Sequence, residues 1–315
     1  MQDIRFENLD IPATPCQQAS PLGIPYKSLL EHIAAGRTQE AAEALRRCTP
    51  FGGFLGVWGD TPAMAACSRG NCGGAISLGH MLSLLASSYT DVLFEAEVPA
   101  ITNGRTIAII GSGPAGLQAA YDLRCQGYSV TVFEAAPVIG ITLLRTPVQE
   151  SSSAAPDALP CIPEELLEKT TSMLTAAGIV FQKNAPKGQA ELDMLARDFD
   201  AVICACGKAA VFPVKGDGWL KDNIFAAGTC IKNQKVQTAL QAMASGSKAA
   251  RGVHAFLSGG RVEQNDAAAS PSSPVAASLP EDIAVALPIA PAGDCYTLDE
   301  ARAEASRCLH CCQVL

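Results

Sequence analysis

The middle of the chain alternates short apolar runs with amphipathic helical patterns. An apolar run at Thr106–Ile110 leads through glycines into a helical pattern, and a second run ends at Glu134. Two further apolar runs, "AVICAC" and "NIFAA", begin at Ala201 and Asn223. Strands that alternate with helices form a parallel sheet covered by helices, so residues 101–258 are predicted to fold as an α/β domain.

The two ends of the chain have different patterns. Residues 1–100 are predicted to be helical, because "YKSLLEHIAAGRTQEAAEALRRC" contains two helical patterns separated by Gly36. Residues 259–294 are rich in Ala, Pro and Ser and are predicted to be an extended linker. Residues 295–315 return to a helical pattern and end in a cysteine cluster. The expected organisation is a helical, cysteine-bearing domain, the α/β domain, the linker and a C-terminal helix with a cysteine motif.

Composition excludes several classes of protein. The 315 residues include 48% hydrophobic and 17% charged residues, with a net charge of −8 and no basic run, which excludes nucleic-acid binding. No N-terminal secretory pattern is present, and no stretch reaches the roughly 20 apolar residues that cross a bilayer. A cytoplasmic protein without a membrane span is expected. Thirteen cysteines are many for a reducing compartment, and they favour metal ligation over disulfides.

The glycines after the first strand indicate a dinucleotide site. Gly111, Gly113 and Gly116 have GxGxxG spacing: the first permits a tight turn, the second lets a pyrophosphate approach, and the third lets the helix lie close to the strand. Free N–H groups at the helix N-terminus bind the diphosphate. Glu134 is placed to accept hydrogen bonds from a ribose, and an acid there disfavours a 2′-phosphate. These residues alone indicate FAD or NAD; the alternative is a vestigial fold without a cofactor.

The segment "IAIIGSGPAGLQAAYDLRCQGYSVTVFEAAPVIG" resembles the FAD-binding segment of the glutamate synthase small-subunit family, which includes the flavin portion of dihydropyrimidine dehydrogenase. "DFDAVICACG" is similar to the family's second FAD strand, "NIFAAGTC" to its third, and "KVQTALQAMASGSKAARGV" to the helix whose N-terminus faces the flavin. The resemblance covers roughly residues 10–258 and implies an FAD-binding Rossmann-like domain. It implies these cofactor-binding residues: Gly111, Ser112, Gly113, Pro114, Ala115, Gly116, Glu134, Ala135, Cys206, Gly207, Gly228, Thr229, Gln237, Thr238 and Ala239.

Several positions depart from the family pattern. Thr229 stands where the family has an aspartate that bonds the ribityl chain, Cys206 replaces a threonine, and Gly140–Ile141 replaces a Gly-Gly pair. The family also inserts an NAD(P)-binding domain of roughly 100 residues between its second and third FAD strands. Residues 208–227 occupy that place here and contain no second GxGxxG. We therefore expect that the chain does not bind a nicotinamide nucleotide in the family's manner.

The tail motif "SRCLHCC" and the early motif "TPCQQAS" resemble two halves of an iron–sulfur motif in the family's N-terminal helical domain. The resemblance implies Cys16, Cys308 and Cys311 as ligands of a [4Fe–4S] cluster, with Cys312 as the fourth, if the tail folds back on the N-terminal helices. Ser20 occupies the last cysteine position of this motif. Cys-x-x-Cys suits two corners of a cubane. Zinc, a redox-sensing thiol pair and a cluster shared with a partner chain are the alternatives.

A second group of cysteines, Cys48, Cys67 and Cys72, resembles the family's second cluster segment, although Trp58–Gly59 stands in place of its Cys-Pro. His80 is a candidate non-thiolate ligand for this group. One or two clusters are therefore expected, and the alternative for this group is a degraded site of buried thiols. The cysteines of the α/β region are expected to be mostly core residues: Cys125, Cys204, Cys206 and Cys230.

Taken together, the motifs predict an FAD- and iron–sulfur-containing electron-transfer subunit of a multi-subunit cytoplasmic oxidoreductase that is not active alone. Its expected partners are redox subunits that handle NAD(P)H or ferredoxin and that convert a substrate. The alternatives are a stand-alone small flavin reductase and a non-catalytic assembly subunit. The four histidines form no triad with Ser or Cys, so hydrolase chemistry has no support.

Overall fold

A computed structural model describes residues 14–88, 102–145, 162–185, 188–232, 238–259, 285–292 and 296–311. The chain divides into two compact units, one drawn from Met1–Leu93 and Ala269–Leu315 and the other from Phe94–Ala268. In their described parts the first is helical and the second is an α/β unit. The chain therefore leaves the helical unit, completes the α/β unit and then returns to the helical unit.

The described part of the helical unit consists of short helices. They are α1 (Pro15–Ala19), α2 (Tyr26–Ala34), α3 (Thr38–Cys48), α4 (Gly52–Trp58), α5 (Thr61–Ala65), α6 (Leu78–Ser88), a 3-10 helix at Ser68–Asn71 and a helix at Leu298–Ala305 that we call the tail helix. The two helical patterns predicted on either side of Gly36 are α2 and α3. Gly36 has a φ of +75° between them, a conformation that favours glycine.

Apolar packing and one close backbone approach hold these helices together. α2 buries Leu29, Leu30 and Ile33, whose spacing places them on one helix face. α4 and α6 approach so closely at Gly56 that a β-carbon there would lie 2.8 Å from the Cα of Ser83. The Ser83 hydroxyl donates a hydrogen bond to the Gly56 carbonyl oxygen (3.0 Å). Only glycine fits this crossing.

A buried ion pair anchors the tail helix to the rest of the helical unit. Glu304 is 0% exposed and accepts hydrogen bonds from the backbone N–H groups of Ser77 (3.1 Å) and Ile289 (2.8 Å). Arg307 pairs with Glu304 (Nη1–Oε1 2.5 Å) and donates to the carbonyl oxygen of Gly74 (2.7 Å). The pair thus joins the loop before α6 to the tail.

Residues 285–292 lie within the stretch predicted to be a linker, and they pack onto the helical unit. Arg307 donates to the carbonyl oxygen of Ala286 (2.8 Å), and the Tyr296 hydroxyl donates to that of Ile289 (2.6 Å). A β-carbon at Gly74 would lie 2.7 Å from the ring of Pro288, so the segment lies directly against this loop. These contacts make residues 285–292 part of the helical unit.

The α/β unit is built on a six-stranded sheet. Its strands are β1 (Thr106–Ile110), β2 (Ser129–Phe133), β3 (Val180–Gln182), β4 (Ala201–Cys204), β5 (Trp219–Lys221) and β6 (Ile224–Ala226), in the order β3-β2-β1-β4-β6-β5. All neighbouring pairs are parallel except β5–β6. The central strand buries Ile107, Ala108 and Ile109 completely, as a strand covered by helices requires. The predicted α/β fold with a parallel sheet is confirmed, with one antiparallel edge strand added.

Helices cover the sheet. They are α7 (Pro114–Cys125), α8 (Ile141–Arg145), α9 (Glu164–Ala176), α10 (Gln189–Asp198) and α11 (Ala239–Leu257). α7 and α11 pack so closely that a β-carbon at Gly246 would clash with the carbonyl oxygen of Ala115. Among the described helices, none combines the length and the apolar character needed to cross a bilayer.

The connection between β4 and β6 is short and fully described. Residues 205–223 form a 3-10 turn at Gly207–Ala209 and the edge strand β5 before the chain enters β6. β4 and β6 are direct neighbours, with Ile203 paired to Phe225. This connection contains no second dinucleotide-binding unit, so the sheet continues from β4 straight to β6.

We predict that Arg307→Met destabilises the helical unit by about 3–5 kcal/mol, because it leaves the Glu304 carboxylate buried without its cation. The free energy of unfolding from chemical denaturation measures this. Arg302→Met is the matched control on the exposed side of the tail helix and is expected to change stability by less than about 0.5 kcal/mol. Equal effects of the two variants would contradict an anchoring role for the pair.

Candidate functional site

The carboxyl ends of four parallel strands meet at one edge of the α/β unit. β1, β2, β4 and β6 end at Ile110, Phe133, Cys204 and Ala226, and a loop follows each of them. In the sheet, β2 and β3 lie on one side of β1, whereas β4 and β6 lie on its other side. Ligands of open α/β sheets bind where the strand order reverses in this way. The predicted dinucleotide residues therefore lie at the correct edge.

The glycine loop after β1 has the backbone geometry that the sequence predicted. Gly111 has a φ of +105°, and a β-carbon there would lie 2.5 Å from the carbonyl oxygen of Ala205. Gly113 caps α7, which begins at Pro114 with its first N–H groups free of intrahelical partners. A β-carbon at Gly116 would clash with the carbonyl oxygen of Gly111. Gly111 and Gly116 are thus required for the loop to lie against the sheet, whereas a β-carbon at Gly113 would meet no atom closer than the Thr142 hydroxyl at 3.7 Å.

Glu134 organises this loop through a set of hydrogen bonds. Its Oε2 accepts from the backbone N–H (2.9 Å) and the hydroxyl (2.7 Å) of Ser112, and its Oε1 accepts from the N–H of Ala136 (2.8 Å). The Ser112 hydroxyl in turn accepts from the N–H of Gly140 (2.8 Å). Glu134 and the half-buried Ala135 therefore follow β2 directly beside the loop.

The loops after β4 and β6 form the other side of the edge. Cys206 precedes the turn at Gly207, whose φ is +68° and whose missing β-carbon would lie 3.7 Å from the Thr229 hydroxyl. Gly228 has a φ of +71° and donates its N–H to the hydroxyl of Ser245 on α11 (2.8 Å). Thr229 is half-buried, so its hydroxyl is available at this edge.

The N-terminus of α11 begins at Ala239, as the resemblance implies. Thr238 caps it with a reciprocal pair of hydrogen bonds to Gln241, and Ala239 is buried. Gln237 lies outside the described residues. The free N–H groups of this helix end provide a second positive dipole end in the α/β unit.

The thiols behind this edge are held neutral. Burial, with the nearby Cys206 thiol, raises the pKa of Cys204 to about 12. A hydrogen bond with Cys206, followed by burial, raises the pKa of Cys230 well above its usual range. Cys230 donates to the carbonyl oxygens of Cys204 (3.1 Å) and Ala227 (3.0 Å). Cys204 and Cys230 are buried, in line with the prediction that they are core residues.

This geometry defines a doubly wound dinucleotide-binding domain with a glycine-rich loop after its first strand. The profile of the family described as pyridine nucleotide-disulphide oxidoreductase matches residues 105–242. Residues 105–242 therefore form an oxidoreductase domain of that family. The match supports FAD as the bound dinucleotide.

Three curated relatives have similar sequences. The chain is 30% identical over 216 residues to the NADP(+)-dependent formate dehydrogenase subunit beta of Moorella thermoacetica, covering 61% of this chain and 29% of that protein. It is 28% identical over 197 residues to the glutamate synthase (NADPH) small chain of Mycobacterium tuberculosis, covering 62% and 38%. It is 26% identical over 221 residues to the NADPH-Fe(3+) oxidoreductase subunit beta of Geobacter sulfurreducens, covering 67% and 30%. The chain thus spans less than two fifths of each relative, and the predicted resemblance is confirmed.

Four cysteines of the helical unit line one small cavity that is partly open to solvent. They are Cys16, Cys67, Cys308 and Cys311, and we call this site the cysteine cavity. Cys16 lies on α1, Cys67 immediately precedes the 3-10 helix at 68–71, and Cys308 and Cys311 follow the tail helix. The tail therefore folds back on the N-terminal helices, which is the condition set for the predicted tail cluster.

Burial and neighbouring thiols raise the pKa values of Cys16 and Cys308 in this cavity. Burial, with the nearby thiols of Cys16, Cys311 and Cys67, raises the pKa of Cys308 to about 12. Burial also raises the pKa of Cys16, and Cys67 and Cys311 contribute to the increase. Four thiolates that line one cavity need positive charge, which a cationic metal centre supplies. The donor set therefore fits an iron–sulfur cluster.

Within the described ranges, no three His, Cys, Asp or Glu side chains converge as ligands of a single metal ion. A cubane differs from a single ion because each of its four thiolates binds a different iron atom, so the ligands stand farther apart. Four cysteines spread around a cavity suit that arrangement better than the tetrahedral zinc site considered above.

The remaining predicted ligands lie elsewhere or outside the described residues. Cys48 ends α3 and donates to the carbonyl oxygen of Ala44 (3.6 Å), and Cys72 accepts a hydrogen bond from Arg69 Nη1 (3.7 Å). Neither is among the residues that line the cysteine cavity, and the Cys48, Cys67 and Cys72 set stays a prediction. The ring of His80 packs edge-on against Tyr296 (5.1 Å), and Cys312 lies outside the described residues.

Sequence reasoning missed several residues of both sites. Cys67 lines the cysteine cavity with the tail cysteines, and this proximity joins opposite ends of the chain and has no local signal in the sequence. Lys27 and Arg69 also line the cysteine cavity, but they belong to no recognisable sequence motif. Ser112 was included as a loop residue, but its hydrogen bonds to Glu134 and Gly140 follow only from the folded geometry. A hydroxyl inside GxGxxG, with an acid at the next strand end, is the signal for that contact.

We predict that Gly116→Ala lowers FAD affinity by about tenfold or more. The new methyl group would displace the Gly111 carbonyl, and overpacking of this kind costs about 1–3 kcal/mol, with 1.4 kcal/mol per factor of ten. Flavin content after reconstitution and circular dichroism measure affinity and folding separately. Gly79→Ala, where the nearest atom would be 3.9 Å away, is the matched control. Full flavin content in a folded Gly116→Ala variant would rule out the proposed loop.

Proposed function

We propose that this protein is an FAD- and iron–sulfur-containing electron-transfer subunit of a multi-subunit cytoplasmic oxidoreductase. The observation that carries the proposal is the cysteine cavity, because the same chain also contains a candidate dinucleotide-binding site at the carboxyl ends of its parallel strands. An oxidoreductase domain of this family, together with a four-thiol site, suits a subunit that exchanges electron pairs at one cofactor and single electrons at the other.

The α/β unit supplies binding and orientation for FAD. The N-terminus of α7 faces the edge with free N–H groups for the diphosphate, and Glu134 is fixed beside the loop to accept from the adenosine ribose. Thr229 stands beside Gly207, where its hydroxyl would contact the ribityl chain. These side chains bind and orient; none is placed to act as a general acid or base.

The helical unit supplies the ligands for a [4Fe–4S] cluster. Cys16, Cys67, Cys308 and Cys311 would hold it, and Cys67 replaces Cys312 as the fourth ligand in this assignment. FAD provides two-electron chemistry and a cysteine-bound cluster provides one-electron chemistry when each is bound. Lys27 and Arg69 place two cations at the cavity wall, which favours the negatively charged cluster.

A neighbouring subunit would handle the nicotinamide nucleotide. The names of all three relatives include NADP(+) or NADPH, and two of them are called subunit beta. In this chain, residues 205–223 run directly from β4 to β6 and leave no room for a second dinucleotide unit at that point. A partner redox subunit therefore completes the electron path in this proposal.

We predict that the isolated protein shows flavin absorbance that NADPH or NADH does not bleach within minutes under anaerobic conditions. The physical reason is that the β4–β6 connection holds no nicotinamide-binding unit beside the flavin edge. Dithionite, which needs no binding site, is the positive control for reducible flavin. Rapid bleaching by NADPH would instead favour the stand-alone reductase.

We predict that Cys67→Ser removes most of the bound iron, whereas Cys48→Ser and Cys72→Ser retain it. Only Cys67 of the three lines the cavity with the tail cysteines, and a hydroxyl is a poor replacement for a thiolate ligand. Iron and acid-labile sulfide analysis with EPR on anaerobically purified protein measures this. If Cys72→Ser or Cys48→Ser lost as much iron as Cys67→Ser, the ligand assignment would be wrong.

A further inference from the structure

We infer that the hydroxyl of Thr14 donates a hydrogen bond to the sulfur of Cys16 when that sulfur is a metal ligand, and that it thereby raises the reduction potential of the centre in the cysteine cavity. The inference rests on the proposed function, because it takes the cysteine cavity to hold a [4Fe–4S] cluster. It deepens that proposal by naming a residue that sets how readily the centre accepts an electron.

Thr14 and Cys16 are in direct contact at the wall of the cysteine cavity. Thr14 Oγ1 lies 3.2 Å from Cys16 Sγ, which is close enough for a hydrogen bond. Both residues line the cavity, and Thr14 is only 3% exposed. The hydroxyl is therefore shielded from bulk water and directed at the sulfur.

The chemistry of the two groups fixes the direction of this hydrogen bond. Either atom can be the donor while Cys16 is a thiol. A thiolate ligand has no proton, so the Thr14 hydroxyl is then the only donor of the pair. Burial raises the pKa of Cys16, and the contact with Thr14 opposes that rise, as a donor to the thiolate does.

The start of α1 holds the Thr14 hydroxyl in place. Thr14 is the N-cap of this helix, and its Oγ1 accepts a hydrogen bond from the N–H of Gln17 (3.4 Å). Pro15 is the first residue of the helix, where its ring fixes φ at a helical value. A hydroxyl has one proton and two lone pairs, so the cap uses a lone pair and leaves the proton for Cys16.

Buried hydrogen bonds at the other end of α1 also fix the helix that carries Cys16. The hydroxyl of Ser20, which follows the helix, donates to Oδ2 of Asp60 (2.6 Å). Asp60 is 0% exposed, and the same oxygen accepts from the hydroxyl of Tyr26 (2.8 Å). Both ends of α1 are thus held by side-chain hydrogen bonds, and the donor and the sulfur keep a fixed separation.

A hydrogen bond to a ligand sulfur raises a reduction potential because it favours the more negative oxidation state. When the centre takes one electron, the reductant is oxidised by one electron and the centre gains one negative charge. The Thr14 hydroxyl stabilises the extra charge more than it stabilises the oxidised state, and no bond to Thr14 forms or breaks. Removal of the hydroxyl is therefore expected to lower the potential.

The test is an anaerobic redox titration of the full-length protein with dithionite, followed by EPR of the reduced centre. In Thr14→Val we expect the equilibrium constant for reduction to fall about tenfold, which lowers the midpoint potential by about 59 mV for a one-electron couple. Thr14→Ser keeps the hydroxyl and is expected to change the constant by less than about threefold. A wild-type potential in Thr14→Val, or an equal fall in Thr14→Ser, would overturn the inference.

A matched control separates the hydrogen bond to sulfur from the loss of a helix cap. Thr297 caps the tail helix by accepting from the N–H of Glu300 (3.3 Å), so Thr297→Val removes a threonine cap of the same unit without changing the contact at Cys16. We expect this variant to keep the wild-type potential. A fall as large as that of Thr14→Val would assign the effect to capping and overturn the inference.

A second variant covers a failure of Thr14→Val to fold, as judged by circular dichroism, or to retain iron. Thr14→Gly also removes the hydroxyl, and glycine replaces threonine as an N-cap at little cost. It is expected to show the same fall of about tenfold in the equilibrium constant. The wild-type potential in Thr14→Gly, or loss of iron from both folded variants, would overturn the inference, since iron loss would make Thr14 necessary for ligation itself.

Iron and acid-labile sulfide analysis separates a failure of this inference from a failure of the proposed function. Wild-type protein without iron would overturn both, because no centre would then exist at Cys16. Iron-loaded wild-type and Thr14→Val proteins with equal potentials would overturn this inference alone and leave the proposed cluster in place.

Discussion

The buried ion pair of Glu304 and Arg307 is the interaction on which the helical unit depends. It links the tail helix, the segment around Ile289 and the loop at Gly74 through hydrogen bonds inside the protein. Cys308 directly follows Arg307 in the sequence, so the pair also fixes where the tail cysteines begin. The pair therefore contributes to holding the tail where it forms one side of the cysteine cavity.

The candidate binding sites of the two units are built from different parts of the chain: one from backbone and the other from side chains. The edge of the α/β unit is made mainly of backbone, with positive-φ glycines at Gly111, Gly207 and Gly228 that let loops approach a ligand. The cysteine cavity is made of side chains, and burial raises the pKa values of two of its thiols, Cys16 and Cys308. The edge of the α/β unit is therefore preformed by backbone geometry. The thiols of the cysteine cavity, in contrast, favour the thiolate form only when a metal centre is bound.

Local patterns predicted most of the α/β unit. The strand at 106–110, its glycine turn and the following helix are encoded by neighbouring residues, so their period and spacing carry the answer. Glu134 was predictable for the same reason. Residues 285–292 were predicted as a linker because their composition is typical of one, but Glu304 and Arg307 supply partners for their backbone. Contacts of that kind have no local signal.

Long-range contacts explain what the sequence left open in the helical unit. Cys67 was grouped with its sequence neighbours Cys48 and Cys72, whereas the fold places it with Cys308 and Cys311. The Ser20–Asp60 hydrogen bond was equally invisible, since the two residues belong to different motifs. In the sequence, Ser20 indicates only that a ligand is missing from the motif. The fold shows that its hydroxyl donates a hydrogen bond to Asp60.

The cysteine cavity draws its walls from early and late parts of the chain, and this sets an order of events during biosynthesis. Cys16 and Cys67 leave the ribosome first, then the whole α/β unit, and Cys308 and Cys311 only afterwards. The helical unit therefore lacks its tail residues until the α/β unit has been synthesised. Maturation of the thiol site is in this way a post-translational step that follows completion of the nucleotide fold.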